Sequence, residues 1–149
     1  MKKNQVPSGA AREADERLYR SFVKLLPWTE GSINFLRTSS MGYKFDVACL
    51  HQLDEFRYTW DDAQHEFLDG LIDEKRQSLL AACIELSNWI GENTAPAPRS
   101  YHLQEIFPTV DEDEERFEKK VREAHALAQK VVAAHQDLVR TARKRLEIV

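Results

Sequence analysis

Two histidines and two aspartates are the residues of this 149-residue chain whose types and positions best suit chemistry. His65 and Asp69 are four residues apart, which places them on one face of a helix. His135 and Asp137 lie in the last helical segment, which we expect to pack against the segment that carries His65. Imidazole and carboxylate groups together can bind a divalent metal ion or transfer a proton near neutral pH. These four residues are therefore the candidate ligand or metal site, as an alternative to a structural role for the two histidines.

The surroundings of the histidines do not specify one reaction. A carboxylate-bridged di-iron bundle requires paired Glu-x-x-His motifs, and none of the five histidines has a glutamate three residues before it. The sequence contains neither a Gly-x-Ser-x-Gly nucleophile elbow nor a Gly-x-x-x-x-Gly-Lys phosphate loop. We assign no catalytic residue and expect no cofactor.

Residues 111–149 carry the clearest structural pattern. Acidic residues open this segment and basic residues close it, which complements the dipole of a helix. Apolar or small side chains recur at alternating steps of four and three, the spacing of a helix that packs along one side. These positions are Phe117, Val121, Ala124, Ala128, Val131, His135, Leu138 and Ala142. One long helix is predicted, with His135 at a packing position where a hydrogen-bonded core histidine is commoner than a metal ligand.

Three earlier helices are predicted from apolar periodicity and capping residues, over residues 8–26, 46–59 and 62–90. Pro27 ends the first helix, Asp46 caps the second, Asp61 and Gln64 form a capping box for the third, and Gly91 ends it. Residues 27–45 are irregular and fit a loop, a short helix or a small hairpin, and we favour the loop.

Residues 92–110 are predicted to be a linker, because Pro96, Pro98 and Pro108 interrupt any helix there. The second half of this linker is apolar. It either folds over the end of the helices or forms a surface that binds a partner. The four large side chains are Tyr101, Leu103, Ile106 and Phe107.

Helices with no convincing strand pattern predict an all-α fold: a single domain, residues 1–149, built as an antiparallel bundle of about four helices. The last two helices form a long C-terminal hairpin. Its predicted register sets Ile90 beside Glu112, which brings His65 close to Asp137. The acidic start of the third helix then meets the basic end of the fourth.

Composition limits the possible classes of protein. Hydrophobic residues make up 42% and charged residues 31%, which fits a folded domain and excludes a disordered chain. No apolar run suits a signal peptide or a membrane span, so we expect a cytoplasmic protein with no membrane contact. Cys49 and Cys83 lie in helical apolar patterns and are expected to be buried free thiols.

Three functional hypotheses follow. The leading one is a non-enzymatic interaction protein that binds another protein, or a second copy in a homodimer or coiled coil, through a helix face. The second is a metal-binding or small-ligand-binding protein that uses the His and Asp residues above. The third is a nucleic-acid-binding regulator. The charge of the chain disfavours it, because the net charge is −4 and eight acids against one base lie between Asp54 and Glu74.

Overall fold

The computed structural model describes residues 8–106 and 114–148. Within them the chain forms five α-helices and one three-stranded antiparallel sheet. The helices are α1 (Gly9–Leu25), α2 (Gly31–Thr38), α3 (His51–Thr59), α4 (Gly70–Asn93) and α5 (Glu114–Arg145), and the strands are β1 (Phe45–Asp46), β2 (Thr94–Ala97) and β3 (Ser100–Ile106). Two short 3-10 helices, Val47–Leu50 and Ala63–His65, lie immediately before α3 and shortly before α4.

The all-α prediction is wrong, because the predicted linker contains two strands. β2 and β3 form a hairpin in which Thr94 pairs with Ile106, and β1 pairs with the other edge of β3, giving the order β1-β3-β2. Prolines interrupt helices, but an edge strand such as β2 accepts Pro96 because its outer backbone needs no donor. Arg99 adopts a left-handed conformation, φ 64°, in the turn of the hairpin.

The favoured loop over residues 27–45 is also wrong, because α2 lies within it. The N-terminus of α2 is capped from outside its own sequence: the Gln52 Oε1 accepts the backbone N–H of Ser32 at 2.8 Å. Gly31 has φ +71°, and a Cβ at this position would collide with the Gln52 side chain. Ile33 and Leu36 then enter the core.

Three predicted helices are present with altered ends. Ser8 caps α1, which ends at Leu25, and Asp46 caps the 3-10 turn that leads into α3. The start of α4 was predicted near residue 62, but α4 begins at Gly70 with Asp69 as its cap, and it passes through Gly91 to Asn93. The Asp61 and Gln64 capping box is replaced by an Asp62 cap of the short 3-10 helix.

Helices α4 and α5 pack antiparallel, as predicted, but in a different register. Trp89 donates to Glu123 at 3.2 Å, whereas the predicted register placed Trp89 opposite Asp113, ten residues earlier. Lys130 pairs with Glu85 at 2.7 Å in the observed register. The predicted packing positions of α5 are buried from Ala124 to Ala142.

Leu68 lies inside the predicted third helix, whose apolar residues were expected to pack against the last helix, but Leu68 is 54% exposed. It precedes the true start of α4, where the chain is held by α1: the carboxylate of Asp15 accepts the backbone N–H of Leu68 at 2.8 Å. Among the described residues, no helix has both the length and the apolarity that a bilayer crossing requires.

Candidate functional site

His65 lies beside the core rather than beside α5. Its Nδ1 lies 2.6 Å from the Asp62 Oδ1, and its ring packs on Trp60 with centroids 4.7 Å apart. The hydrogen bond from the His65 side chain lowers the pKa of Asp62. Asp62 also accepts the backbone N–H of His65, so this pair closes one turn of the chain.

His135 is buried between two aromatic rings, Phe22 and Trp28. Its Nε2 lies 2.7 Å from the carbonyl oxygen of Leu26, which can only accept, and its Nδ1 lies 3.2 Å from the side-chain amide nitrogen of Gln136, which can only donate. Both contacts are satisfied by a neutral ring with its hydrogen on Nε2. Burial lowers the pKa of His135, although the Leu26 contact opposes the shift.

The two predicted aspartates occupy different environments. Asp69 is buried at the start of α4, where its Oδ2 accepts from Arg145 Nε at 2.8 Å. Asp137 is exposed on α5, 4.0 Å from Arg140. The four predicted ligands therefore do not share a cleft, and the part of the chain that the structure describes contains no group of three His, Cys, Asp or Glu residues arranged to hold a metal ion.

The four apolar residues of the predicted partner surface do not form one exposed patch among the residues that the structure describes. Ile106 is buried at the end of β3, and Leu103 is half-buried opposite Asp46 of β1. The backbone of Tyr101 lies in β3. Phe107 lies outside the described residues.

A different set of side chains forms the best candidate site. They recur along α5 at steps of three and four, so they lie on one side of the helix, distinct from the side that packs in the core. All are exposed except the half-buried Gln136. We call this set the α5 outer face: Glu118, Arg122, His125, Gln129, Ala133, Gln136 and Arg140.

Two cavities lie along the α5 outer face, at its boundary with α2 and the loop after it. One is largely apolar, has a volume of about 420 Å³ and is lined by Ser40, Gly42, Tyr43, Phe117, Glu118, Val121 and Arg122. The other, of about 370 Å³, is lined by Leu36, Arg37, His125, Gln129, Val132, Ala133, Gln136 and Arg140. The apolar cavity is therefore next to the N-terminal half of α5, and the basic cavity follows it toward the C-terminus.

The apolar cavity is bounded by an exposed aromatic side chain. Tyr43 is 79% exposed, the largest exposed fraction among the large hydrophobic residues that the structure describes. Gly42 allows the loop to approach α5, because a Cβ there would lie 3.2 Å from a methyl group of Val121. An aromatic ring held open to solvent beside an apolar cavity is typical of a protein-binding surface.

The lining of the basic cavity contains two arginines, one histidine and no acid. Arg37 is held in place: its guanidinium lies 4.3 Å from the ring centroid of Trp28 and donates to Asn34 at 3.0 Å. Arg140 is 69% exposed and reaches Asp137 only at 4.0 Å. An acidic group of a partner could therefore bind Arg140 with little rearrangement.

A buried polar network fixes the C-terminal end of α5. Arg145 donates to Asp69, which caps α4 by accepting the N–H of Leu71, and Asp15 accepts the N–H of Asp69 at 2.9 Å. Burial raises the pKa of Asp15, partly opposed by the N–H donors of residues 68 and 69. Because α1, α4 and α5 meet in this network, the helix that carries the α5 outer face is fixed to the rest of the fold at its C-terminal end.

Sequence reasoning missed the α5 outer face because the basic end of α5 was assigned to charge pairing within the chain. Arg145 does pair with Asp69 at the start of α4, whereas Arg140 lies at the cavity and reaches only Asp137 of its own helix, at 4.0 Å. A signal was present: the uncharged Gln129, Ala133 and Gln136 recur with helical spacing on an exposed side of a highly charged helix.

Comparison of the chain with protein-family models, with curated proteins and with solved structures gives no match. No function is therefore transferred from a relative.

Proposed function

We propose that this chain is a non-enzymatic interaction protein that binds another protein chain through the α5 outer face and the two cavities beside it. The observation that carries the proposal is the continuity of this surface. The helix face, the apolar cavity with Tyr43 and the basic cavity with Arg37 lie side by side along α5.

The chemistry of the surface supports a protein partner. Its centre is uncharged at Gln129, Ala133 and Gln136, whereas charged residues lie toward its ends. Protein interfaces commonly combine a centre that is depleted of charged residues with a polar or charged rim and an aromatic anchor. Glu118 to Arg140 spans about 33 Å at 1.5 Å per residue, long enough to contact several turns of a partner helix.

The test is the accessibility of this surface in cells. Ala133→Cys places a thiol at the centre of the face, and Ala81→Cys places a matched thiol on the exposed side of α4. Both are made with Cys49→Ser, because Cys49 is partly exposed. Burial raises the pKa of Cys83 to about 12, so this remaining thiol stays protonated and reacts poorly with maleimide.

The proteins are expressed at natural level in the cells from which the chain comes and are labelled with a cell-permeable maleimide. We expect the thiol at position 133 to react at least several-fold more slowly than the thiol at position 81. Equal labelling rates at both positions would show that the face is open to solvent and would refute the proposal. Labelling of the two denatured proteins gives the reference for full reactivity.

A further inference from the structure

We infer that the protein bound at the α5 outer face is a second copy of the same chain, with the two α5 helices antiparallel. This inference deepens the proposed function and rests on it. The argument comes from the order of charges along α5 and from the uncharged residues at its centre.

An antiparallel pair of identical helices has a twofold axis, which pairs residues equally distant from a central position. If the axis passes Gln129, every member of the α5 outer face meets another member of the same face. No acid meets an acid and no base meets a base. The resulting pairs are Glu118 with Arg140, Arg122 with Gln136, His125 with Ala133, and Gln129 with its own copy.

The pairing extends beyond the ends of the face. Glu115 falls opposite Arg143 of the second copy, and Glu114 falls opposite Lys144. The acidic start of each α5 therefore lies opposite the basic end of the α5 of the other copy, so this pairing occurs once at each end of the dimer. Since all four side chains are exposed in the single chain, they are available for these contacts.

The same charges disfavour the parallel alternative. In a parallel pair, Glu118 would lie beside Glu118 of the copy and Arg140 beside Arg140, and like charges at contact distance repel. An antiparallel arrangement turns both repulsions into attractions. Ala133 lies about one turn from the axis, and its small side chain leaves room for His125 of the second copy opposite it. Packed helix axes lie about 8–10 Å apart.

The second copy also covers the apolar cavity. The C-terminal half of the second α5 lies along Glu118 and Arg122, which line that cavity together with Tyr43. The exposed ring of Tyr43 is therefore covered in the dimer. The dimer leaves the core and the α4–α5 hairpin unchanged.

The decisive experiment exchanges the two charges of the outermost pair. Sedimentation velocity of the whole chain is expected to show a species of twice the 17.3 kDa chain mass at high concentration. Arg140→Glu alone and Glu118→Arg alone each create two repulsive pairs and are expected to shift the protein to monomer. The combined variant Glu118→Arg with Arg140→Glu restores both attractions and is expected to restore the dimer.

Arg20→Glu serves as the matched control, because it makes the same charge change on an exposed site of α1, which lines neither cavity. It is expected to dimerise like the wild type. Circular dichroism and melting temperature check that every variant folds. A wild type that is monomeric up to millimolar concentration, single variants that dimerise normally, or a double variant that stays monomeric would each overturn the inference.

A cysteine at the axis tests the register. Gln129→Cys, in the Cys49→Ser chain, is expected to form a disulfide-linked dimer on mild oxidation, whereas Ala81→Cys is expected to remain monomeric. Equal crosslinking of both would refute the register. A monomeric protein whose position 133 is still protected in cells would refute the second copy and leave the proposed function standing, whereas unprotected labelling would refute both.

Discussion

The carboxylate of Asp15 in α1 accepts the backbone N–H of Asp69, 54 residues later, at 2.9 Å, in a buried setting. The other oxygen of Asp15 accepts the N–H of Leu68 at 2.8 Å. Asp69 in turn caps α4 and pairs with Arg145 of α5. One aspartate of the first helix therefore positions the start of α4, which the local sequence placed eight residues earlier.

Asp15→Ala is expected to destabilise the fold. It leaves the N–H groups of residues 68 and 69 without their acceptors, and a buried unsatisfied donor costs roughly 1 to 3 kcal/mol. Removal of a carboxylate whose burial raises its pKa offsets part of this loss. We expect a net fall of about 1 to 3 kcal/mol in the free energy of unfolding, measured by urea denaturation. Glu13→Ala, an exposed neighbour in α1, is the control and is expected to change little.

Asp73 is expected to make the fold sensitive to acid. Burial favours a higher pKa, but hydrogen bonds from Arg76, Gln77 and the N–H of Phe67 lower the pKa of Asp73 overall. A lowered folded-state pKa means that the unfolded chain binds the proton more readily. The stability that ionised Asp73 contributes to the fold is therefore complete above the ordinary aspartate pKa of about 4. It is lost as the pH falls toward the pKa of Asp73 in the folded state.

Asp73→Asn tests this relation. At neutral pH it leaves Arg76 as a buried unpaired cation, which is expected to cost about 3 to 5 kcal/mol. Below pH 4 the difference from the wild type is expected to shrink, as measured by denaturation at a series of pH values. Glu55→Gln, at an exposed site, is expected to follow the wild type. A constant difference at all pH values would contradict the assignment to Asp73.

His135 is expected to make the stability of the fold depend on pH in a higher range than Asp73 does. Burial lowers its pKa despite the Leu26 carbonyl, so the unfolded chain binds more protons below the ordinary histidine pKa of about 6.5. The contribution to stability is complete above that pH and decreases as the pH falls toward the folded-state value. His135→Leu is expected to flatten the pH dependence of the free energy of unfolding below about pH 6.5. Exposed His125→Leu is expected to retain the wild-type slope.

Two glycines are expected to respond to alanine with opposite signs. Gly31 has φ +71° and faces the Gln52 side chain that caps α2, so Gly31→Ala strains the backbone by about 1 to 2 kcal/mol and displaces the cap. Gly91 lies inside α4, and a Cβ at this position would have no other atom within 4 Å apart from its chain neighbours and the backbone of α4, so Gly91→Ala is expected to stabilise by about 0.5 to 1 kcal/mol. Thermal denaturation of both variants checks this, and a loss of stability in Gly91→Ala would contradict it.

The candidate site was only partly predictable from the sequence. The packing side of α5 followed from the spacing of Ala124, Val131 and Leu138, because amphipathic periodicity needs only the local chain. The predicted approach of His65 to Asp137 failed because it required a particular register between two helices. In addition, His65 lies before the start of α4, which Asp15 of another helix holds at residues 68 and 69.

The sequence by itself determined the long helices, the packing face of α5 and the Asp46 cap, because each depends on neighbours within a few turns. It placed His135 on the packing side of α5, but the hydrogen-bond partner at Leu26 lies 109 residues away and was decided by the tertiary structure. Tertiary structure decided the rest. The sheet depends on pairing Phe45 with Gln104, α2 depends on a cap from Gln52, and the candidate interaction surface depends on α2 and Tyr43 meeting α5. These contacts join residues far apart in the chain, and no local preference specifies such a pairing before the chain has folded.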